Sequence, residues 1–292
     1  MTNEQIIKEV ASDVFNVSVK DIEVSNRLMG GMSNYTYVFT VKGDTYTFRI
    51  PGKKAELYVD RVEEKHHIEL VEPLNLNSEV VYLNIENGYK IAKYIEGTPL
   101  NELEVLDYLE DVSKTLHELH DKKLKSNYDY DPLGRLTLYE SYTFEYDFKH
   151  SDRYNKLKDE LLKQAERLID KDSYIFTHGD CQASNFVKTE IGMKLMDWEF
   201  SGNNDPMYDI ACFGDFVYEY AVALLPVYLG RKPTVLEEDK MWFYMAFQSL
   251  QWHNVAMYKE FIGLSVDLGV DFIQVAENYL DDCTLFLSKI KG

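Results

Sequence analysis

The residues best suited to chemistry sit in one stretch, His178-Gly179-Asp180-Cys181-Gln182-Ala183-Ser184-Asn185, followed downstream by Asp197-Trp198-Glu199. The order acid, amide, acid is the one phosphoryl transfer uses: a carboxylate facing the attacking hydroxyl, then two oxygen ligands that hold a divalent cation against a triphosphate. Asp180 suits the first task. Asn185 and Asp197 suit the second, because a hard cation such as Mg2+ takes carboxylate and amide oxygens. Taken singly, each is an ordinary turn cap or strand-end acid. All three in this order, with a hairpin between the two ligands, point to chemistry. His178 suits holding the loop by hydrogen bonds, and Cys181 a passive place.

The hairpin is read from Phe186-Val187 and Leu195-Met196, two short apolar runs joined across Thr189-Glu190-Ile191-Gly192-Met193. Centred on Ile191, it sets Phe186 opposite Met196 and Asn185 opposite Asp197. Directly opposed Cβ atoms lie ~5 Å apart, within reach of a shared metal.

Nearer the N-terminus, Gly30-Gly31-Met32-Ser33-Asn34 precedes a strand. Gly30, Gly31, Ser33 and Asn34 make a flexible segment that can approach ATP phosphates. A plain Gly-Gly turn has the same look, and the full G-x-G-x-x-G pattern is absent. Arg49, between Phe48 and Ile50, offers the cation a phosphate site needs on the following strand. Its orienting acid is expected on the next helix, where Glu63 and Glu64 are available and Glu64 is preferred. Backbone groups near Ile95, in Lys93-Tyr94-Ile95-Glu96-Gly97, are placed to meet the adenine, unless that segment is a simple linker.

These residues need elements to hold them. Residues 4–16 read as an amphipathic helix, and 22–50 as antiparallel strands, with 35–41 and 45–50 flanking the turn Lys42-Gly43-Asp44. Helical character follows over 56–71, then strands over 79–83 and 89–95 across Glu86-Asn87-Gly88. After Glu96 long helical patterns dominate, at 101–121, 153–170, 206–225, 235–261 and 267–290. The island 173–200 interrupts them. The spacing therefore predicts two lobes, 1–96 for nucleotide binding and 97–292 for catalysis and acceptor binding.

Composition narrows the class. The chain has 292 residues, 45% of them apolar, enough for a substantial core, and lacks the ~18 uninterrupted apolar residues a membrane helix requires. A formal charge of −19 without a basic patch disfavours nucleic acid as a partner and suits solubility or a cationic substrate. Three scattered cysteines, Cys181, Cys212 and Cys283, form neither a disulfide framework nor a zinc pattern. The N-terminus lacks the basic start and apolar block of a secretory signal, so a cytoplasmic place is expected. Oligomeric state is not legible.

The residues resemble the choline kinases, within the larger group that includes aminoglycoside phosphotransferases. The resemblance covers nearly the whole chain. Its carriers are Gly30 to Asn34, Phe48-Arg49-Ile50, Arg61 with Glu64, Leu116-His117-Glu118-Leu119-His120, His178 to Asn185, Asp197-Trp198-Glu199-Phe200 and Asp209-Ile210. The run Asp180-Cys181-Gln182 is similar to choline kinases in particular, and most of all to their bacterial branch. The resemblance implies an α+β, protein-kinase-like bilobal fold. A small N-terminal antiparallel sheet lobe carries one long helix, and the C-terminal lobe is larger and mostly helical. It implies Mg2+-dependent conversion of choline and ATP to phosphocholine and ADP, with Asp180 positioning the hydroxyl and Asp209 bracing the catalytic loop. Trp198-Glu199 replaces the Phe-Gly of protein kinases, and Arg49 replaces lysine; both fit the choline branch.

A quaternary ammonium donates no ordinary hydrogen bonds, so its pocket uses aromatic faces and carboxylates. Gln182, Glu199, Tyr244 and Trp252 are the candidates. The family's late-helix tryptophan pair is incomplete, with Ser249 at the earlier place, and an aromatic-rich helix is also what a core requires. Ethanolamine, an aminoglycoside or another amino alcohol is the alternative acceptor, and a nucleotide-binding pseudokinase scaffold the alternative class.

Overall fold

Thr2 starts the first helix, α1 (Asn3–Phe15), through a reciprocal cap in which its hydroxyl accepts from the Gln5 amide and the Gln5 side chain accepts from the Thr2 amide. Strands β1 (Ile22–Leu28), β2 (Asn34–Val41) and β3 (Asp44–Pro51) follow as antiparallel neighbours. Lys42 and Gly43 take left-handed conformations, φ 55° and 88°, and alone turn the chain from Val41 to Asp44. That twist is the one a two-residue hairpin turn needs. The computed structural model describes residues 1–28 and 34–292, so Gly30, Gly31 and Ser33 lie outside the described residues.

Asp60 caps α2 (Arg61–Val71) by accepting from the amides of Val62 and Glu63. Strands β4 (Val80–Leu83) and β5 (Lys90–Lys93) complete a five-stranded sheet in the order β1-β2-β3-β5-β4. One face of this sheet packs on α1, burying Ile7 and Ala11 against Phe39, Val41, Phe48 and Ile91. Phe39 and Phe48 are fully buried, each contributing about 1.5–3 kcal/mol in area terms. Among the described residues the unit thus carries two helices, α1 and α2, as the sequence pattern predicts over 4–16 and 56–71, where the resemblance implied one.

The short strand β6 (Thr98–Pro99) precedes the helical region of α3 (Leu109–His120), α4 (Pro132–Phe144) and α5 (Asp152–Leu168). Then come β7 (Ile175–Thr177), β8 (Phe186–Thr189), β9 (Gly192–Leu195) and β10 (Gly202–Asn204). Five helices end the chain: α6 (Met207–Cys212), α7 (Tyr218–Leu229), α8 (Val235–Phe261), α9 (Leu264–Leu268) and α10 (Phe272–Leu287). The architecture is α+β, an antiparallel sheet unit and a mostly helical one.

Packing divides the chain into residues 1–105 with 183–201, and residues 106–182 with 202–292. In the first unit β6, β8 and β9 form a small sheet of their own. In the second, β7 pairs with β10, and α8 is the central helix against which α4, α5, α6 and α10 pack. Its buried side chains cover all its faces, as befits an enclosed helix.

Several expected helices are cut differently. The pattern over 101–121 becomes two short 3-10 turns before α3 begins at Leu109. The reading over 206–225 breaks after α6, where a Cβ on Gly214 would lie 2.8 Å from the Cβ of Ala221. The reading over 267–290 breaks at Gly269, which is left-handed at φ 66°, and Asp271 caps a fresh start for α10. Helix α4, opened by Pro132, has too mixed a sequence for the periodicity to reveal.

Candidate active site

In the N-terminal unit, alternation along β3 buries Phe48 in the sheet core and sends the neighbouring Arg49 the other way, toward α2. There Arg49 grips Glu64 with both terminal nitrogens, Nη1 to Oε1 at 2.6 Å and Nη2 to Oε2 at 2.8 Å. This two-pronged pairing matches a planar guanidinium to a planar carboxylate. Arg49 Nη2 also donates to the Gly88 carbonyl at 3.1 Å, and Nη1 to Glu199 Oε2 at 3.4 Å. Arg61, one helical turn before Glu64, donates to Glu64 Oε2 at 2.7 Å and to Glu199 Oε2 at 2.9 Å. Asn34 Nδ2 reaches Glu199 Oε1 at 3.1 Å.

Lys90 completes the group. The β3–β5 register sets it directly opposite Arg49. Like charges so placed repel, and Glu64 relieves this by accepting from Lys90 Nζ at 3.1 Å as well. Burial works against an ionised Glu64, which has no exposed surface, but Lys90, Arg49 and Arg61 together hold its pKa well below the ordinary range. For Glu199 burial and the charge of Asp197 prevail over Arg49 and Arg61, and its pKa is pushed up. Gly88 serves the same group through its lack of a side chain: at φ 72°, an added Cβ would lie 2.7 Å from Pro51 Cγ and 2.8 Å from Arg61 Nε.

Asp197 follows β9 in a left-handed conformation, φ 68° and ψ 70°, that non-glycine residues seldom adopt. Its carboxylate is partly exposed, with Arg49 and Lys90 each 3.8 Å away. The turn it opens, Trp198–Phe200, seals Trp198 inside, its indole donating to the Leu195 carbonyl at 2.9 Å, and points Glu199 at the arginines. The hairpin register differs from expectation. Its loop is the two residues Glu190-Ile191, with Thr189 paired to Gly192 and Phe186 to Leu195. Thr189 Oγ1 fixes this loop by accepting from the Ile191 amide and donating to the Gly192 carbonyl. The centre therefore moves by half a residue from Ile191. Asn185 faces Met196, whose amide donates to the Asn185 carbonyl at 2.8 Å, and Asp197 comes one residue later rather than opposite.

In the C-terminal unit the loop carrying Asp180 is pinned from below. Asp209, fully buried in α6, accepts the amide of His178 on Oδ2 and that of Gly179 on Oδ1, both at 2.8 Å. His120 Nε2 lies 3.0 Å from Asp209 Oδ2, and its Nδ1 lies 2.9 Å from the Tyr228 hydroxyl. Burial opposes the charge on Asp209; the bond and charge of His120, with His178, hold its pKa below the usual value. Gly179 supplies φ 79°, and His178 Nδ1 accepts the Asp180 amide at 3.2 Å, so His178 holds the loop. Gln182 Nε2 donates to both carboxylate oxygens of Asp180, at 3.1 and 3.2 Å, which orients the acid.

The sequence-derived residues thus fall into two sets. Arg49, Glu64, Asn34, Asp197 and Glu199 come together in one unit; Asp180 and Gln182 come together in the other. Asn185 closes a 3-10 turn leading into β8, and Ile95 lies between β5 and β6. Tyr244 is fully buried in α8, its ring against Tyr208 and Phe243, while Trp252 on the same helix is half-buried. Sequence reasoning missed Lys90, Gly88 and Tyr228. The β3–β5 register would have singled out Lys90; nothing local marks Tyr228.

A sequence profile of the choline/ethanolamine kinase family matches residues 25–247. Protein LicA of Haemophilus influenzae is 25% identical over 189 residues, which is 63% of this chain and 55% of that protein, so the match spans little more than half of this relative's length. Among solved structures, choline kinase LicA from Streptococcus pneumoniae superposes with a TM-score of 0.79 at 24% identity, covering 98% of both chains. An ethanolamine kinase from Plasmodium vivax gives the same TM-score at 18% identity, covering 98% of this chain and 89% of that one. At such identities the superpositions establish the fold. The profile, which runs from β1 into α8 and takes in both sets of site residues, establishes more: the chain belongs to the choline/ethanolamine kinase family.

Proposed function

We propose that the protein transfers the γ-phosphoryl group of ATP to the hydroxyl of choline, giving phosphocholine and ADP. The observation that carries this reading is the state of Asp180: a partly exposed carboxylate, oriented by Gln182, on a loop whose backbone Asp209 fixes. Such a group positions an alcohol and takes its proton as the oxygen bonds to the γ-phosphorus and the bond to the β-phosphate oxygen breaks. Asn185 and Asp197 are the proposed holders of Mg2+. The donor set fits: both offer oxygen, and among the described residues the Asp197 carboxylate has no cation nearer than 3.8 Å, unlike Glu64 and Glu199, which the arginines already occupy. Bound there, Mg2+ neutralises charge on the phosphates.

On this reading residues 1–96 serve the nucleotide, with Gly30, Gly31, Ser33 and Asn34 at the phosphates, Arg49 and Glu64 behind them and Ile95 at the adenine. Residues 97–292 serve catalysis and the acceptor. Gln182 and Trp252 are the acceptor-side residues whose exposure supports the role; the enclosure of Tyr244 and the bonds of Glu199 to Arg61 and Asn34 favour support of the surrounding structure. A reducing, cytoplasmic setting fits three cysteines outside any disulfide, and among the described residues no helix is long and apolar enough to cross a membrane.

Ethanolamine is the second reading, favoured by the family's breadth and by the Plasmodium vivax neighbour. ADP release measured with choline, ethanolamine, thiamine and an aminoglycoside, each with and without Mg2+, separates the two. Choline should give the highest kcat/KM, only with Mg2+, and Asp180→Ala should lower kcat by about 10²–10⁴-fold while ATP still binds. Equal efficiency on ethanolamine would remove the choline preference, and near-normal turnover by Asp180→Ala would remove Asp180 from its role.

A further inference from the structure

We propose that Cys212, the last residue of α6, is a positioning residue for Asp180: its buried thiol lies against Oδ1 of the carboxylate and fixes the direction in which that group faces. The inference rests on the reading of Asp180 as the acid that meets the alcohol, and deepens it by naming a residue that motif spacing does not reveal.

The case begins with what the loop's own bonds leave unsettled. Asp209 accepts the amides of His178 and Gly179, which sets the backbone ahead of Asp180 but not the torsions of its side chain. Gln182 bonds both carboxylate oxygens, yet it stands two residues away on the same loop and moves with it. Cys212 belongs to a different element. Its sulfur lies 4.0 Å from Asp180 Oδ1, a long, weak thiol contact, and the Cys181 amide faces the same sulfur. Cys212 and Asp209 are three positions apart on α6, hence on one face of the helix, so one surface holds both the loop backbone and the acid it carries.

That surface is itself anchored. Every residue of α6 is buried. Tyr208 ties the helix to its surroundings: its hydroxyl pairs with that of Tyr130 at 2.6 Å and donates to Gln251 Oε1 on α8 at 3.2 Å, and its carbonyl accepts from Gln248 Nε2 at 3.3 Å. A thiol suits the place facing the acid. Burial first, and then the charge of Asp180, push the Cys212 pKa well above its usual value, so the sulfur keeps its proton and sets no second negative charge beside the carboxylate. A serine oxygen, on a shorter bond from the same Cβ, would stay beyond the ~3 Å that a hydroxyl bond needs. An apolar side chain of similar size would fill the space and offer no proton.

The test is steady-state turnover of the full-length protein with ATP, Mg2+ and choline, in wild type, Cys212→Ala, Cys212→Val and Cys283→Ala, and again with each Cys212 change combined with Asp180→Ala. Cys283 is a buried thiol on α10, outside the Asp180 loop, and serves as the control for a lost buried sulfur. Cys212→Ala and Cys212→Val should each lower kcat about 2- to 5-fold, the size of a weak hydrogen bond, with the KM for ATP unchanged, and Cys283→Ala should leave kcat as it is. Combined with Asp180→Ala, neither Cys212 change should lower the residual rate further, because the thiol acts through the carboxylate. Full kcat in Cys212→Val would reduce Cys212 to packing, and a further loss beside Asp180→Ala, or a raised KM for ATP, would reduce it to general support; each overturns the inference alone. Wild-type protein that does not turn over choline, or near-normal turnover by Asp180→Ala, would overturn the reading of the site together with it.

Discussion

Glu64 and Asp209 are both wholly buried carboxylates, and both are held below the usual pKa, yet by different means. Glu64 in the N-terminal unit is surrounded by three cationic side chains from β3, α2 and β5. Asp209 in the C-terminal unit is met by two backbone amides and one imidazole. The first arrangement concentrates charge, and so depends on every member: remove one cation and a buried acid is left short. The second fixes a stretch of backbone, so what it secures is the direction of the loop ahead of Asp180. One unit spends its buried acid on electrostatic balance, the other on shape.

The largest effect should come from the charged group. Arg61→Met takes the 2.9 Å partner from Glu199 and one of three cations from Glu64. Breaking a buried ion pair from one side costs about 3–5 kcal/mol, which denaturant unfolding can read, and adding Glu199→Gln should recover part of it. A loss under about 1 kcal/mol would place this group with surface pairs and break the contrast.

Next is the brace, where pH supplies the readout. Asp209→Asn should cost about 1–3 kcal/mol at neutral pH, since one loop amide or His120 loses its acceptor. Because the folded-state pKa of Asp209 is depressed, its contribution is fully present above the usual aspartate value of about 4 and is lost as pH falls through the folded value. The stability gap between wild type and Asp209→Asn should therefore narrow as pH is lowered below about 4. A constant gap across the acid range would mean that the charge of Asp209 contributes nothing.

The smallest effect is at the far end of the same chain of bonds. Tyr228→Phe removes only the hydroxyl facing His120 Nδ1 and should cost about 0.5–1.5 kcal/mol, with kcat lowered more than KM is raised. A larger loss than that from Asp209→Asn would show that the brace is governed by its outer end.

Part of this was legible beforehand, because the proposed chemistry implies an order among residues close in sequence. That order singled out Asp180, Asn185 and Asp197 as candidates, and the strand-then-helix order singled out Arg49 with Glu64, a pair the hydrogen bonds join. What stayed hidden depends on register. The hairpin turned on whether its loop holds two residues or three, and the bonds of Thr189 decided it. Lys90 and Lys93 look alike on one short strand, and only the pairing of β3 with β5 separates the one beside Arg49 from the one in solvent. Tyr228 is 108 residues from His120, so no local pattern joins them. Glu199 is an acceptor candidate by its nearness in sequence to the stretch around Asp180, and nothing in that sequence reveals that the turn after Asp197 also points it at the arginines.

The backbone at Asp197 narrows what evolution can write there. At φ 68° most side chains are strained; glycine is comfortable, and asparagine and aspartate are tolerated. Of these three, only aspartate carries the negative charge proposed for the metal. Glutamate would keep the charge and strain the chain, asparagine would keep the conformation and lose the charge, and glycine would lose the ligand altogether. Substitution at this position should therefore have no conservative option, whichever of the two properties a selection happens to measure.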